Sequence, residues 1–222
     1  MTARLAAPTL SLVLVLGFTS LSDVPAAQER SPAITPGDAA GWETERLRVR
    51  PISVAPGAQM PGYSDRGAVF VFLTADLNGR MPPAEAAWQP AGAGTLENRG
   101  KARVEGLLIE VKDVEGRGPG TTPPEALPST GAVDIRVLID NPHVIVTRQR
   151  YLPGVYPFHG WHFHPQDTLV VYLSGGYVGQ PLGSWGLQRV RRGDVDVVPA
   201  NMFHGFANPG IDPLEFLAIF PK

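Results

Sequence analysis

The residues of this sequence best suited to chemistry are its histidines. All five of them, His143, His159, His162, His164 and His204, fall in the second half of the chain. The informative pair is His162-Phe163-His164. On a strand, side chains two apart leave the same face, so both imidazoles can reach one ion. Taken alone, the pair also fits a surface cluster. There is no cysteine, which excludes disulfides, thiolate ligands, a cysteine nucleophile and a lipid-modified cysteine. Nor is there a Gly-x-Ser-x-Gly elbow, a phosphate loop, a Gly-x-Gly-x-x-Gly run or a His-Glu-x-x-His helix. Nucleophilic, nucleotide-binding and metalloprotease readings therefore have nothing to stand on.

The elements that must hold these histidines read as β-structure. Leu47–Arg50, Ala68–Thr74, Val104–Val111, Val133–Ile139, Val144–Thr147, Thr168–Ser174, Val195–Pro199 and Leu214–Phe220 are short and rich in Val, Leu, Ile and Phe. Gly, Pro, Asn or Asp bound them. No window carries a helical period. The high glycine (25) and proline (23) content has no collagen-like repeat, so it points to many tight turns between strands. An all-β sandwich or barrel is expected. At 222 residues and 43% hydrophobic, the chain can build one large core or two small ones. A formal net charge of -2 argues against nucleic acid as a partner.

The chain divides in sequence. Met1 to Arg4 are basic, Leu5 to Leu21 hold an apolar run, and Val24-Pro25-Ala26 offers small residues for a peptidase. This order reads as a signal peptide over residues 1–27, with a membrane anchor as the alternative. A periplasmic or secreted protein is expected, with no membrane contact after cleavage. Residues 28–41 read as a flexible lead-in. Residues 115–130, dense in proline and glycine, read as a linker between blocks 42–114 and 131–222.

The two blocks repeat each other. Asn98-Arg99-Gly100, continuing to Glu105, lies on Asn208-Pro209-Gly210, continuing to Glu215. Pro56-Gly57 matches Pro153-Gly154, Phe72-Leu73-Thr74 matches Tyr172-Leu173-Ser174, and Pro90 matches Pro199. An internal duplication is the simplest account.

In the second block the spacing resembles the cupin superfamily. Its first motif, His-x-His followed later by Glu and Gly, is matched by His162, His164 and Gly175. Its second, Gly, Pro-x-Gly, His and Asn, is matched by Gly193, Pro199, Asn201, His204 and Asn208, with Asn201 in place of the middle glycine. Asn is a mild replacement there, because it tolerates the left-handed turn. The resemblance implies two tandem double-stranded β-helix barrels, the first degenerate and without metal ligands. It also implies that His162, His164 and His204 bind one divalent transition metal, any of Fe, Mn, Ni, Cu, Co or Zn.

The departure from the family pattern is the glutamate. Its place falls on Thr168, with Asp167 one residue early and of opposite strand parity, so a three-histidine site is favoured over one that includes Asp167. An ion held without a carboxylate keeps its full charge and favours anionic ligands. Cupins with such sites include iron dioxygenases acting on thiols or hydroxylated aromatic acids. The resemblance thus implies a metal-dependent enzyme on a small anionic molecule, with a non-catalytic metal or ligand binder as the alternative. A small molecule is the expected partner, and a homodimer is compatible with the chain. No acid or base is named. His159 reads as a loop residue or a ligand orienter and His143 as a surface residue. Trp161, Phe163, Tyr172 and Trp185 read as core or pocket lining. Arg148 and Arg150 read as a solvated face or an anion contact.

Overall fold

The computed structural model describes residues 42–60, 67–74, 78, 86–112, 131–156, 162–182 and 184–222. The expected signal peptide, lead-in and linker, together with His159 and Trp161, lie outside them. Among the described residues there is no helix, and every regular element is a strand.

The first half contributes β1 (Trp42–Glu43), β2 (Leu47–Val54), β3 (Gln59–Met60), β4 (Ala68–Phe72), β5 (Ala86–Gln89), β6 (Leu96–Glu97) and β7 (Val104–Val111). The second contributes β8 (Val133–Asp140), β9 (Val144–Tyr151), β10 (Thr168–Tyr172), β11 (Gly176–Leu182), β12 (Ser184–Val190), β13 (Val195–Val198) and β14 (Leu214–Pro221). Each half forms an antiparallel five-stranded sheet, ordered β1-β2-β7-β4-β5 in one and β8-β9-β14-β10-β13 in the other. The orders correspond strand for strand. Beside them lie two small sheets, β3-β6 and the hairpin β11-β12.

The repeat read in the sequence is visible as repeated hydrogen bonding. Asn98 donates from Nδ2 to the carbonyls of Val54 and Ala102 at 2.8 and 2.9 Å, and its Oδ1 accepts the Gly100 amide at 3.0 Å. Asn208 does the same with Tyr151, Asp212 and Gly210, at 2.9, 2.8 and 3.0 Å. The amides of Gly57 and Gly154 each donate 2.8 Å to the carbonyl of the matching asparagine. Both glycines sit at positive φ, 72° and 78°, where a Cβ would be strained. Thr74 and Ser174 likewise each accept the amide of the matching glutamate, Glu105 and Glu215, at 2.9 Å. Buried asparagines that satisfy three backbone groups fix the same loop in both halves.

The two large sheets share a core. Val69, Val71, Leu107 and Ile109 from the first pack with Val144, Val146, Leu169, Val171, Leu217 and Ile219 from the second. On the other face of each sheet lies a private cluster: Phe70, Phe72 and Leu108 in the first half, Val170, Tyr172, Phe206 and Phe216 in the second. Strands β4 and β10 are therefore buried on both faces, and every residue of each is buried. This explains why they read as continuous apolar runs instead of alternating. Sequence reasoning missed β5 and the hairpin β11-β12. The hairpin, Gly-rich and carrying Pro181, is docked through a bridge between Gly179 and Ala207 and by Val178 and Val190, which it buries in the second-half cluster.

Candidate metal centre

The second half curls its inner face around three imidazoles. His162, His164 and His204 come together with all candidate ligand atoms within 4.8 Å of one another. The rings lie 4.4 to 4.9 Å apart, centroid to centroid. His162 Nε2 and His164 Nε2 are 3.1 Å apart. With metal–nitrogen bonds of about 2.1 Å, that separation subtends roughly 95° at an ion, close to the angle adjacent ligands require.

The scaffold differs from the expected one. His162 and His164 do not lie on a regular strand; β10 begins only at Thr168. They lie on an irregular segment anchored by a single bridge, in which the His162 and His204 amides each donate to the other's carbonyl at 2.9 and 2.8 Å. Pro165, with no amide hydrogen, cannot continue a ladder past the pair. The alternation still holds, because the backbone is extended. The imidazoles face inward and Phe163 between them is 61% exposed. On the partner segment, the Asn201 amide donates to the His164 carbonyl at 2.6 Å, and Asn201 has φ 60°. The residue at the motif's middle-glycine position thus adopts the left-handed turn.

His164 and His204 are buried, and His162 is half-buried. Burial lowers the His164 pKa to about 3, with the neighbouring His204 and His162 adding to the shift. Burial also lowers His204 to about 4, against the opposing pull of a hydrogen bond to the Met202 carbonyl. Both are neutral at neutral pH, the form in which imidazole binds metals. The Met202 carbonyl lies 2.9 Å from His204 Nδ1. A carbonyl only accepts, so the proton sits on Nδ1 and the lone pair of Nε2 is left for an ion.

Among the described residues no carboxylate joins the cluster. Asp167 Oδ1 instead accepts the Ala200 amide at 2.9 Å, and Asp167 is not among the groups that converge with the imidazoles. Thr168 is buried and stands in the wall with Gln149, Val170, Val198 and Phe220. Gln149 was not anticipated. Its Nε2 donates to Thr147 Oγ1 and its Oε1 accepts from Tyr151 Oη, at 3.1 and 3.3 Å. The space among these groups is about 10 Å³, room for an ion or a single water.

The remaining candidates lie elsewhere. Arg148 and Arg150 sit on the opposite face of β9 from Gln149, and both pair with Glu215, at 2.6 and 3.3 Å. They do not meet the cluster. His143 is exposed and stacks on Trp88 of the first half, with centroids 5.5 Å apart. Tyr172 is core, whereas Phe163 is a surface residue and neither core nor lining.

No family model matches the chain, and no curated protein matches it. Solved structures do. A cupin 2 conserved barrel domain protein from Leptotrichia buccalis matches at 14% identity and a TM-score of 0.55, covering 88% of this chain and 98% of its own. An oxalate decarboxylase from Bacillus subtilis matches at 14% identity and a TM-score of 0.59, covering 88% and 78%. The salicylate 1,2-dioxygenase of Pseudoaminobacter salicylatoxidans matches at 10% identity and a TM-score of 0.56, covering 79% and 70%. At such identities the likeness speaks for the fold. The chain shares the all-β fold of these cupin barrels.

Proposed function

We propose that this cupin is an exported metal-dependent enzyme acting on a small anionic molecule, with His162, His164 and His204 as the metal ligands. The observation that carries the reading is the convergence of three imidazoles, two of them held neutral by burial, with no carboxylate among them. Three imidazole nitrogen donors suit Fe, Mn, Ni, Cu, Co or Zn. Bound there, such an ion supplies Lewis acidity or a site for oxygen activation. Its charge is uncompensated by protein ligands, which favours an anion in the open positions. The names of two structural neighbours, an oxalate decarboxylase and a salicylate dioxygenase, are those of enzymes of small carboxylates, and this supports the substrate class.

The chain's own residues set the rest. The Met202 carbonyl holds the His204 ring and its tautomer. The wall around the cluster leaves too little space for an organic molecule, so substrate approaches from the side of half-buried His162.

A second reading is a non-catalytic holder of a metal or small ligand. One observation favours it: among the described residues no Asp, Glu, Lys or Tyr lines the cluster to serve as acid or base.

Elemental analysis of the purified protein tests the first step. One metal per chain is expected, with none in a His162→Ala/His204→Ala double variant. Oxygen uptake with Fe(II) and a thiol or hydroxylated aromatic acid, lost in His204→Ala, would establish the enzyme; a ligand-induced rise in melting temperature without turnover would establish the holder. Absence of metal after reconstitution would remove both metal-based readings. Export is checked by sequencing the mature N-terminus, expected near residue 27.

A further inference from the structure

The first half holds a cavity of about 490 Å³, with Phe70, Phe72, Ala87, Gln89, Gly94 and Leu96 in its wall. The repeat accounts for it. Matching Asn98 with Asn208, and the turn at Leu73-Thr74 with that at Leu173-Ser174, sets Phe70, Gln89, Gly94 and Leu96 at the positions of Val170, Val198, His204 and Phe206. Those four line the histidine cluster. In the second half an imidazole and an aromatic ring fill the barrel there. In the first, a hydrogen atom at Gly94 and the smaller Leu96 leave the same space open.

The chemistry of this wall differs from that of the metal centre. It carries no charged side chain among the described residues, and its surface is built mainly by aromatic and aliphatic groups. Its polar side chains are those of Asn78, Thr95 and Gln89, and of these only Gln89 is buried, 6% exposed. Its Nε2 donates to the Gly94 carbonyl at 3.2 Å, and its Oε1 is buried without a hydrogen-bond partner. A buried acceptor left unmet is unfavourable, and a donor brought to it is correspondingly favoured. The last torsion of a glutamine is soft, so a small turn of the carboxamide presents the oxygen to the cavity. The volume falls within the roughly 300–1,000 Å³ of small-molecule sites.

We propose that the first half binds a neutral aromatic alcohol in this cavity, its ring against Phe70, Phe72 and Leu96 and its hydroxyl donating to Gln89 Oε1. The site is separate from the histidine cluster and holds whether or not that cluster is catalytic. Among the described residues its wall offers no cation to pair with a carboxylate, which favours a neutral ligand over an anionic one. The two halves thus take molecules of different charge.

Calorimetric titration of the intact chain with 4-ethylphenol, and with 4-ethylanisole, which lacks the donor, tests this. The phenol should bind one per chain and up to about tenfold more tightly than the ether, the ratio expected for one hydrogen bond to a buried acceptor. Gln89→Leu should erase that ratio. Ala87→Phe, a change at an exposed position of the cavity wall, should abolish binding of both without unfolding the protein. His204→Ala should leave both affinities unchanged. The proposal is overturned if neither compound binds at millimolar concentration or if both still bind to Ala87→Phe. Loss of binding in His204→Ala would also overturn it, since the ligand would then sit in the metal centre. Should Gln89→Leu not fold, Ala87→Phe and His204→Ala decide the matter.

Discussion

Asn98 and Asn208 show how much a single side chain can fix. Each is buried almost completely and each meets two carbonyls and one amide. Removing Asn208 leaves the Tyr151 and Asp212 carbonyls and the Gly210 amide unmet. At about 1 kcal/mol for each bond, Asn208→Ala should lower the unfolding free energy by about 3 kcal/mol. Asn208→Asp should be worse, because a carboxylate oxygen would then face two carbonyl oxygens. Urea denaturation checks both, and a cost for Asp below that for Ala would contradict the bonding pattern. The histidines were legible by type and spacing alone. Parity favoured a site without Asp167, but the carboxylate's partner, the Ala200 amide, was not foreseen, because residues distant in sequence meet only in the folded chain. Gln149 and Gln89 left no sequence signal: a glutamine on a strand looks the same whether it faces solvent or a cavity.

The edge strand β1 is held in part by charge. Glu43 accepts from Arg48 Nε and Nη2 at 3.0 Å and lies 2.5 Å from Lys112 Nζ. These contacts, the Arg48 hydrogen bond first and the Lys112 one next, hold its carboxyl down to about 2 from 4.5. The folded pKa lies below the unfolded one. The contribution is therefore complete above about pH 4.5 and is lost as the pH falls toward 2. Glu43→Gln should flatten the fall in melting temperature between about pH 5 and pH 2. An unchanged acid limb would mean that the pair is screened by solvent and contributes nothing. Burial on both faces made β4 and β10 conspicuous in the sequence. Strands β11 and β12 were missed although their pairing is local, because Gly and Pro interrupt the apolar pattern that marks a strand.

Across the whole molecule, the shared core governs behaviour. The faces of the two sheets that meet carry Val, Leu and Ile on both sides, and burying each such side chain contributes about 1.5–3 kcal/mol. Neither half can unfold without exposing the face of the other. Heating should therefore give one cooperative transition by tryptophan fluorescence, circular dichroism and calorimetry together. Two resolved transitions would show that the halves are thermodynamically independent despite the contact.

By itself the sequence determined the all-β class, the repeat, the turn glycines and the three histidines. These follow from residue type, local periodicity and spacing, which act over a few residues and survive in a string. Only the tertiary structure decided that the repeated sheets pack back to back, that the histidines ride on one bridge instead of a strand, and that the first half keeps an open cavity where the second is filled. Those outcomes depend on which faces meet and how much volume each side chain leaves, and such quantities exist only once the chain has closed on itself.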